Sequence, residues 1–415
     1  MSLRRVSPVL VLHALLALLA KPASAFDVTI EVEAGESDRI ETPVCAPIVL
    51  PAAPGPDVVV ELEGPEGKAP GQLAVGNEKG SWVLWWVASV KKGQKATYRA
   101  KIEKGNPPKD AFAFQDEKGQ SLDLLFGGRK VTRFMYAYDT STKERRFETY
   151  KCFTHVFDSK GERLITNGHG GPFPHHRGIF IGWTRVTLPD GKTRCNFWEM
   201  GGGVCQRLDK LASQEAGPVL GRMQALVRWE DSKGEPVILE EREIAVYRQS
   251  KPELLLDFVS TLRSQKGDLM LDGDPEHGGC QFRAHSDVGA QFKDPRNPAS
   301  GTAGRETKYL LLPGMKEGAK GTLDMPWAAV SFVLGESRFN VAHLNHPENP
   351  KGTAYSANRP YGRFGAFPRT TLKADQPLTL RYRFLVREGQ EPLTADEAQR
   401  LYDDFAKPPK VAARQ

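Results

Sequence analysis

Long runs of alternating apolar and polar residues limit most strictly how this chain can fold. In LTLRYRFLV, Leu378, Leu380, Tyr382, Phe384 and Val386 share one face, while Thr379, Arg381 and Arg383 take the other. RMQALVRWE repeats the pattern with Met223, Ala225, Val227 and Trp229. Successive side chains of an extended chain point to opposite faces, so a sustained period of two marks a strand with one buried face. PVILEEREIAVY and ELLLDFVSTL read as further long strands, and PDGK, DSKGE and SKGEP read as the turns that separate such segments. The expectation is an all-β protein.

One segment breaks the pattern. In LTADEAQRLYDDFA, Thr394 followed by Glu397 forms a capping box, and Ala398, Leu401 and Phe405 fall on one helical face. This predicts a C-terminal helix docked on a β body, followed by a frayed tail, KPPKVAARQ. At the other end, Arg4 and Arg5 precede an apolar run from Val9 to Ala20 and an A-x-A site at Ala23-Ser24-Ala25. That is the pattern of a cleavable secretory signal over residues 1–25, which makes an exported, periplasmic or extracellular protein the expectation. No later apolar run approaches the ~18 residues that a spanning helix needs.

The remainder is too long for one typical core, which favours two units. Residues 26–108 hold the short strands DVVVEL, SWVLWWVASV and ATYRAKIE between Pro/Gly-rich turns, as in a small β-sandwich. KGNPPKD reads as a linker. Residues 109–390 read as a large two-sheet sandwich, with 391–415 as the helix and tail. The formal charge of +6 is scattered without a basic run, so a nucleic-acid partner is not favoured. The five cysteines lack metal-site spacing. Cys195 and Cys205 could form a loop disulfide, or all could be buried thiols.

The chemistry is expected in the large unit. Every histidine after residue 25 lies between His155 and His346, and imidazole suits proton transfer near neutrality. They fall in groups. NGHGGPFPHHRGIFIGW holds His169, His175, His176 and Arg177. GDPEHGGCQFRAH holds Asp274, Glu276, His277, Arg283 and His285. HLNHPENP holds His343 and His346, and CNFWEM adds Asn196, Trp198 and Glu199. Glycine and proline flank each group, which points to loops at the rim of a β scaffold. Each also has a plainer reading: histidines pinning a loop through backbone carbonyls, a solvated strand face for Arg283 and His285, or a proline-fixed turn at NHPENP. No cofactor is predicted. A divalent metal is an alternative, but the short H-x-H or H-x-x-x-H pairs that would signal one are missing.

HHRGIFIGW, NFWE, EHGGCQFRAH, NHPENP and RPYGRFGAFP, in this order, resemble the PmoA-like (DUF6807) family of exported bacterial proteins, over roughly residues 110–390. The family name evokes a methane oxygenase subunit, an integral membrane protein, and the absence of spanning runs speaks against that link. The domain is similar to the β-supersandwich of galactose-mutarotase-like proteins. The resemblance implies a small β-sandwich followed by a large β-supersandwich, with a carbohydrate site on one sheet face. It brings Arg359 and Tyr361 into the candidate set. Family members often carry Asp where this chain has Asn196.

The reading is therefore a carbohydrate-active enzyme, a hydrolase, lyase or epimerase. His176 or His175 would act as general acid or base, Arg177 as the neutraliser of a carboxylate or oxyanion, and His277 and His285 as the second proton-transfer partners. His169, Asn196, Trp198, Glu199, Glu276, Arg283, His346, Arg359 and Tyr361 would bind substrate, with Trp198 facing a sugar ring. All three histidine groups would converge on one cleft. The partner would be a glycan or small sugar. A non-catalytic glycan-binding protein of the cell envelope is the alternative.

Overall fold

The structure, a computed structural model, describes residues 26–51, 53–55, 57–76, 80–171, 173–290 and 307–414. The expected signal, residues 1–25, lies outside the described residues, as does the end of the tail, Gln415. Strands dominate, and almost all pair antiparallel. Among the described residues no helix is long and apolar enough to cross a membrane.

The first unit is a small β-sandwich built on one seven-stranded sheet. Its order is Arg39–Ile48, Trp82–Val90, Gly67–Val75, Val58–Gly64, Lys95–Lys104, Phe26–Glu33 and Lys410–Arg414. Alternate residues of these strands, among them Ile30, Val32, Leu62, Trp86 and Ile102, close a core of their own. The last strand corrects the expectation of a frayed tail. Lys410–Arg414 pairs with Phe26–Glu33, Val411 opposite Val32 and Ala413 opposite Ile30. The chain thus returns to complete the sheet with which the described residues begin.

The large unit packs two eight-stranded sheets face to face. The first runs Ala354–Ser356, Arg363–Phe367, Gly278–Arg283, Ile179–Trp183, Phe153–Val156, Arg129–Met135, Ser121–Phe126 and Phe112–Glu117. The second runs Cys205–Ala216, Leu220–Glu230, Pro236–Tyr247, Leu254–Ser264, Leu378–Glu388, Ser337–Asn345, Trp327–Leu334 and Lys308–Leu311. The faces read from the alternation meet between them: Met223, Ala225, Val227 and Trp229 pack in one core with Leu380, Tyr382, Phe384 and Val386. A four-stranded sheet sits beside these two.

The helix, Ala395–Ala406, has the expected capping box, with Thr394 Oγ1 accepting from Glu397 N and Glu397 Oε2 from Thr394 N. Its Ala398 and Leu401 pack on Leu385, Ala342 and Trp327, on the outer face of the second sheet. So the far face of LTLRYRFLV is covered here, and Arg383 is buried with a bidentate bond to Asp257. The helix also reaches the small sandwich. Asp404 accepts from Arg39 Nη1 at 2.9 Å and from Thr42 Oγ1 at 2.8 Å. Burial nevertheless holds its carboxyl above the usual range, with Arg39 and Thr42 only partly offsetting it. Gln72 Oε1 ties the units again, accepting from Val219 N and Leu220 N. All five cysteines are free thiols. Cys205 opens the edge strand of the second sheet with its Sγ near Glu230, and Cys195 belongs to the four-stranded sheet.

Candidate functional site

The outer face of the first sheet carries the site. Alternation sends Ile179, Ile181, Cys280, Phe282 and Phe364 into the core, which leaves Phe180, Gln281, Arg283 and Arg363 on the opposite face. Over this face fold residues 167–171 and 173–177. Their backbone is pinned: Asn167 Nδ2 donates to His176 O at 2.9 Å, Gly178 N to Asn167 O, and Lys151 Nζ to His175 O at 2.9 Å. Gly178 has φ of +51°, and a Cβ there would lie 2.2 Å from Thr154 O, so only glycine lets the loop enter the strand. A Cβ on Gly182 would likewise meet Phe197 O at 2.2 Å, which is how the NFWE turn lies directly on the sheet.

The His175 and His176 rings are 4.2 Å apart, and His176 stacks between Phe173, Tyr361 and Phe180 with Trp198 at its edge. Trp198 in turn meets His277 edge-on at 6.3 Å. His277 Nδ1 lies 2.9 and 3.1 Å from the two carboxylate oxygens of Asp274. Glu276 pairs with Arg359 beside it. Beneath, Arg363 donates to Gln281 Oε1 and Ser356 Oγ, and the Arg283 guanidinium lies over Tyr361, 4.7 Å from the ring centre. Lys151 Nζ sits 4.5 Å from the centre of Phe180, donating also to Trp198 O.

Several expected roles do not survive this geometry. Arg177 is fully buried, and its guanidinium is spent on Pro174 O, Glu148 O and Phe147 O while stacking 4.3 Å from Tyr150; it neutralises no substrate. Trp198 is fully buried, so it supports the site from below instead of offering a ring face. Asn196 Oδ1 accepts from Trp198 N and Glu199 N, and its amide donates to the exposed Glu199. That is turn-forming work an aspartate oxygen could also do. His346 follows a strand of the second sheet and packs 4.9 Å from Phe405 of the C-terminal helix, so it cannot share the site. His285 makes no ring contact with His175, His176 or His277 and hydrogen-bonds Asp287 N. The exposed His169 lies 3.6 Å from Glu148. The three histidine groups therefore do not form one cleft. His175, His176 and His277 do come together, with Arg283, Glu276, Arg359 and Tyr361 around them.

A family model described as a family of unknown function (DUF6807) matches residues 121–403, which includes all of these residues. The chain belongs to this family. No curated protein matches it. Among solved structures, it is similar to a GalM/aldose epimerase homologue from C. elegans, at 8% identity and a TM-score of 0.27, covering 67% of this chain and 98% of that one.

Electrostatics divides the histidines. Burial first, then the Lys151 charge, pushes His175 down to about 3. His176 is held well below the usual imidazole value by burial, then by Arg363, His175, Arg283 and Lys151. Both are neutral at physiological pH, so neither exchanges a proton readily there, which argues against His176 as the acid or base. His277 differs. An ionised carboxylate only accepts, so Asp274 holds the proton on Nδ1 and leaves the Nε2 lone pair available. Lys151 is itself lowered well below its ordinary value, by burial and then by Arg177. Among the described residues of this DUF6807 chain no group of three His, Cys, Asp or Glu could hold a metal ion.

Lys151, Gln281 and Arg363 were not among the expected site residues. Gln281 had a signal, since it lies two positions from Arg283 and shares its face. Arg363 had one only through pairing, because it lies directly opposite Arg283. A lysine inside the aromatic-rich YKCFTH gave the one hint of Lys151.

Proposed function

We propose that the protein is an exported enzyme that moves a proton on a sugar or glycan at the outer face of the first sheet. His277 is the acid–base group and Asp274 its orienting partner. The observation that carries this is the His277–Asp274 pair beside a bank of buried polar atoms. His175 Nε2, both ring nitrogens of His176 and Trp198 Nε1 find no hydrogen-bond partner among the described residues. Buried polar atoms are nearly always satisfied, and a ligand rich in hydroxyls supplies both donors and acceptors. A base held in one tautomer by a third group is the usual arrangement of an activated proton acceptor.

The carboxylates argue for proton abstraction, as in β-elimination or epimerisation, over hydrolysis by two free carboxylates. Asp274 is tied to His277, Glu276 to Arg359, and Glu199 to Asn196. The test is incubation with a glycan and monosaccharide panel in deuterated water. Deuterium entering a carbon position, or an unsaturated product, supports the reading. New reducing ends with neither would replace it with hydrolysis. The second reading, glycan binding without turnover, is favoured by the neutral state of His175 and His176, and it gives binding with no product.

A further inference from the structure

The buried cations of this protein fall into two sets. Arg39, Arg242 and Arg383 each face a carboxylate, from Asp404, Glu240 and Asp257 respectively. Lys151, Arg177 and Arg363 are buried just as completely, yet their hydrogen bonds go only to neutral groups: backbone carbonyls for Lys151 and Arg177, Gln281 and Ser356 for Arg363. All three surround the His175–His176 pair. Register adds a further strain, because Arg363 lies directly opposite Arg283 on the same face of the sheet. Like charges directly opposite across strands destabilise a sheet, and buried charge without a counter-ion is costly. The Nε atom of the fully buried Arg363 has no partner among the described residues.

We infer that the site takes an anionic sugar, one bearing an oxyanion such as the carboxylate of a uronic acid, drawn to the positive floor that Arg363 and Lys151 make with Arg283. This rests on the reading of the site as one for sugars. Cations beside low-dielectric walls focus their field outward, and the part-exposed His175 lies within reach of Arg363 and Lys151, with the part-exposed His277 beside it. Of the acids at the rim, Asp274 is paired with His277 and Glu276 with Arg359, while Glu199, bonded to the neutral Asn196, acts on Lys151 without a hydrogen bond to it. The Arg363 charge therefore remains for the ligand, and that of Lys151 is only partly offset. A hydroxyl-rich neutral sugar would satisfy the imidazoles and the indole but would leave the floor uncompensated.

The experiment is calorimetric or tryptophan-fluorescence titration of the full protein with D-glucuronate, D-galacturonate, glucose 6-phosphate, glucose and galactose. The expected result is at least about tenfold tighter binding of an acidic sugar than of its neutral counterpart, with affinity falling as salt is raised from about 50 to 500 mM. The uronate and phosphate arms decide which oxyanion is preferred. Arg363→Gln should abolish the preference for the acidic sugar; if that variant fails to fold, the preference and salt dependence of the native protein still decide. Equal binding of acidic and neutral sugars, or no binding of any acid, overturns the inference. Deuterium exchange on a neutral sugar alone would overturn it and leave the catalytic reading standing. Acid binding without exchange would do the reverse.

Discussion

His277 Nδ1 and Asp274 Oδ1 are 2.9 Å apart, across a turn in which His277 N also donates to Asp274 O. One short loop therefore sets both the position and the tautomer of the imidazole. The pair is part-exposed, in contrast to the sealed His176.

His277→Ala should lower turnover by about 10²- to 10⁴-fold, the usual worth of an acid–base group. Asp274→Asn should do nearly the same by releasing the tautomer. Both residues lie at the rim, so thermal unfolding should shift little. Steady-state rates and melting curves of the two variants check this. Unchanged turnover in His277→Ala would remove it from the mechanism.

Stability should fall as the solution is acidified from about pH 6.5. Burial pushes His155, His175 and His343 to about 3, whereas an unfolded chain protonates them near 6.5. Between these values the unfolded state binds more protons, so stability rises with pH across the window and levels off above it. Urea unfolding from pH 7 to 5.5, above most carboxylate titration, should show a slope approaching about one proton per buried histidine. His343→Phe should remove about one proton from it, because His343 lies wholly inside the core against Tyr355, Tyr382 and Phe384.

Asp404→Ala should cost about 3–5 kcal/mol, because it strands the buried Arg39 guanidinium between helix and small sandwich. Replacing both partners by apolar residues, Arg39→Met with Asp404→Leu, should cost far less, since burial already works against the charged carboxyl. Denaturant unfolding of single and double variants measures the difference. A double variant as unstable as Asp404→Ala would reject the explanation.

Ending the chain at Pro409 should expose the outer edge of Phe26–Glu33, which Lys410–Arg414 covers. An uncovered edge strand recruits other strands. Hydrogen exchange should speed up in Phe26–Glu33, and light scattering should show association that the full chain lacks. Unaltered exchange there would mean that the last strand contributes nothing to the small sandwich.

Much of the scaffold was legible in local sequence. Period two named Met223 to Trp229 and Leu378 to Val386 as core faces, and Thr394 with Glu397 marked the start of the helix, because these are relations between residues a few positions apart. The same locality hid the rest. Nothing near Arg383 says that a helix covers it, and the polar character of KPPKVAARQ does not reveal that a strand about 380 residues earlier has an open edge for it.

The site divides in the same way. From sequence alone came its residue types, its placement in the large unit, and the loop character that nearby glycine and proline give each histidine group. Tertiary structure decided which of these residues meet. Strand register set Arg363 opposite Arg283, and sheet order carried His346 to the far side of the molecule. Burial made His175 and His176 neutral and committed Arg177 to backbone carbonyls. Those outcomes depend on desolvation and on pairings between distant strands, and neither is encoded in the spacing of residues along the chain.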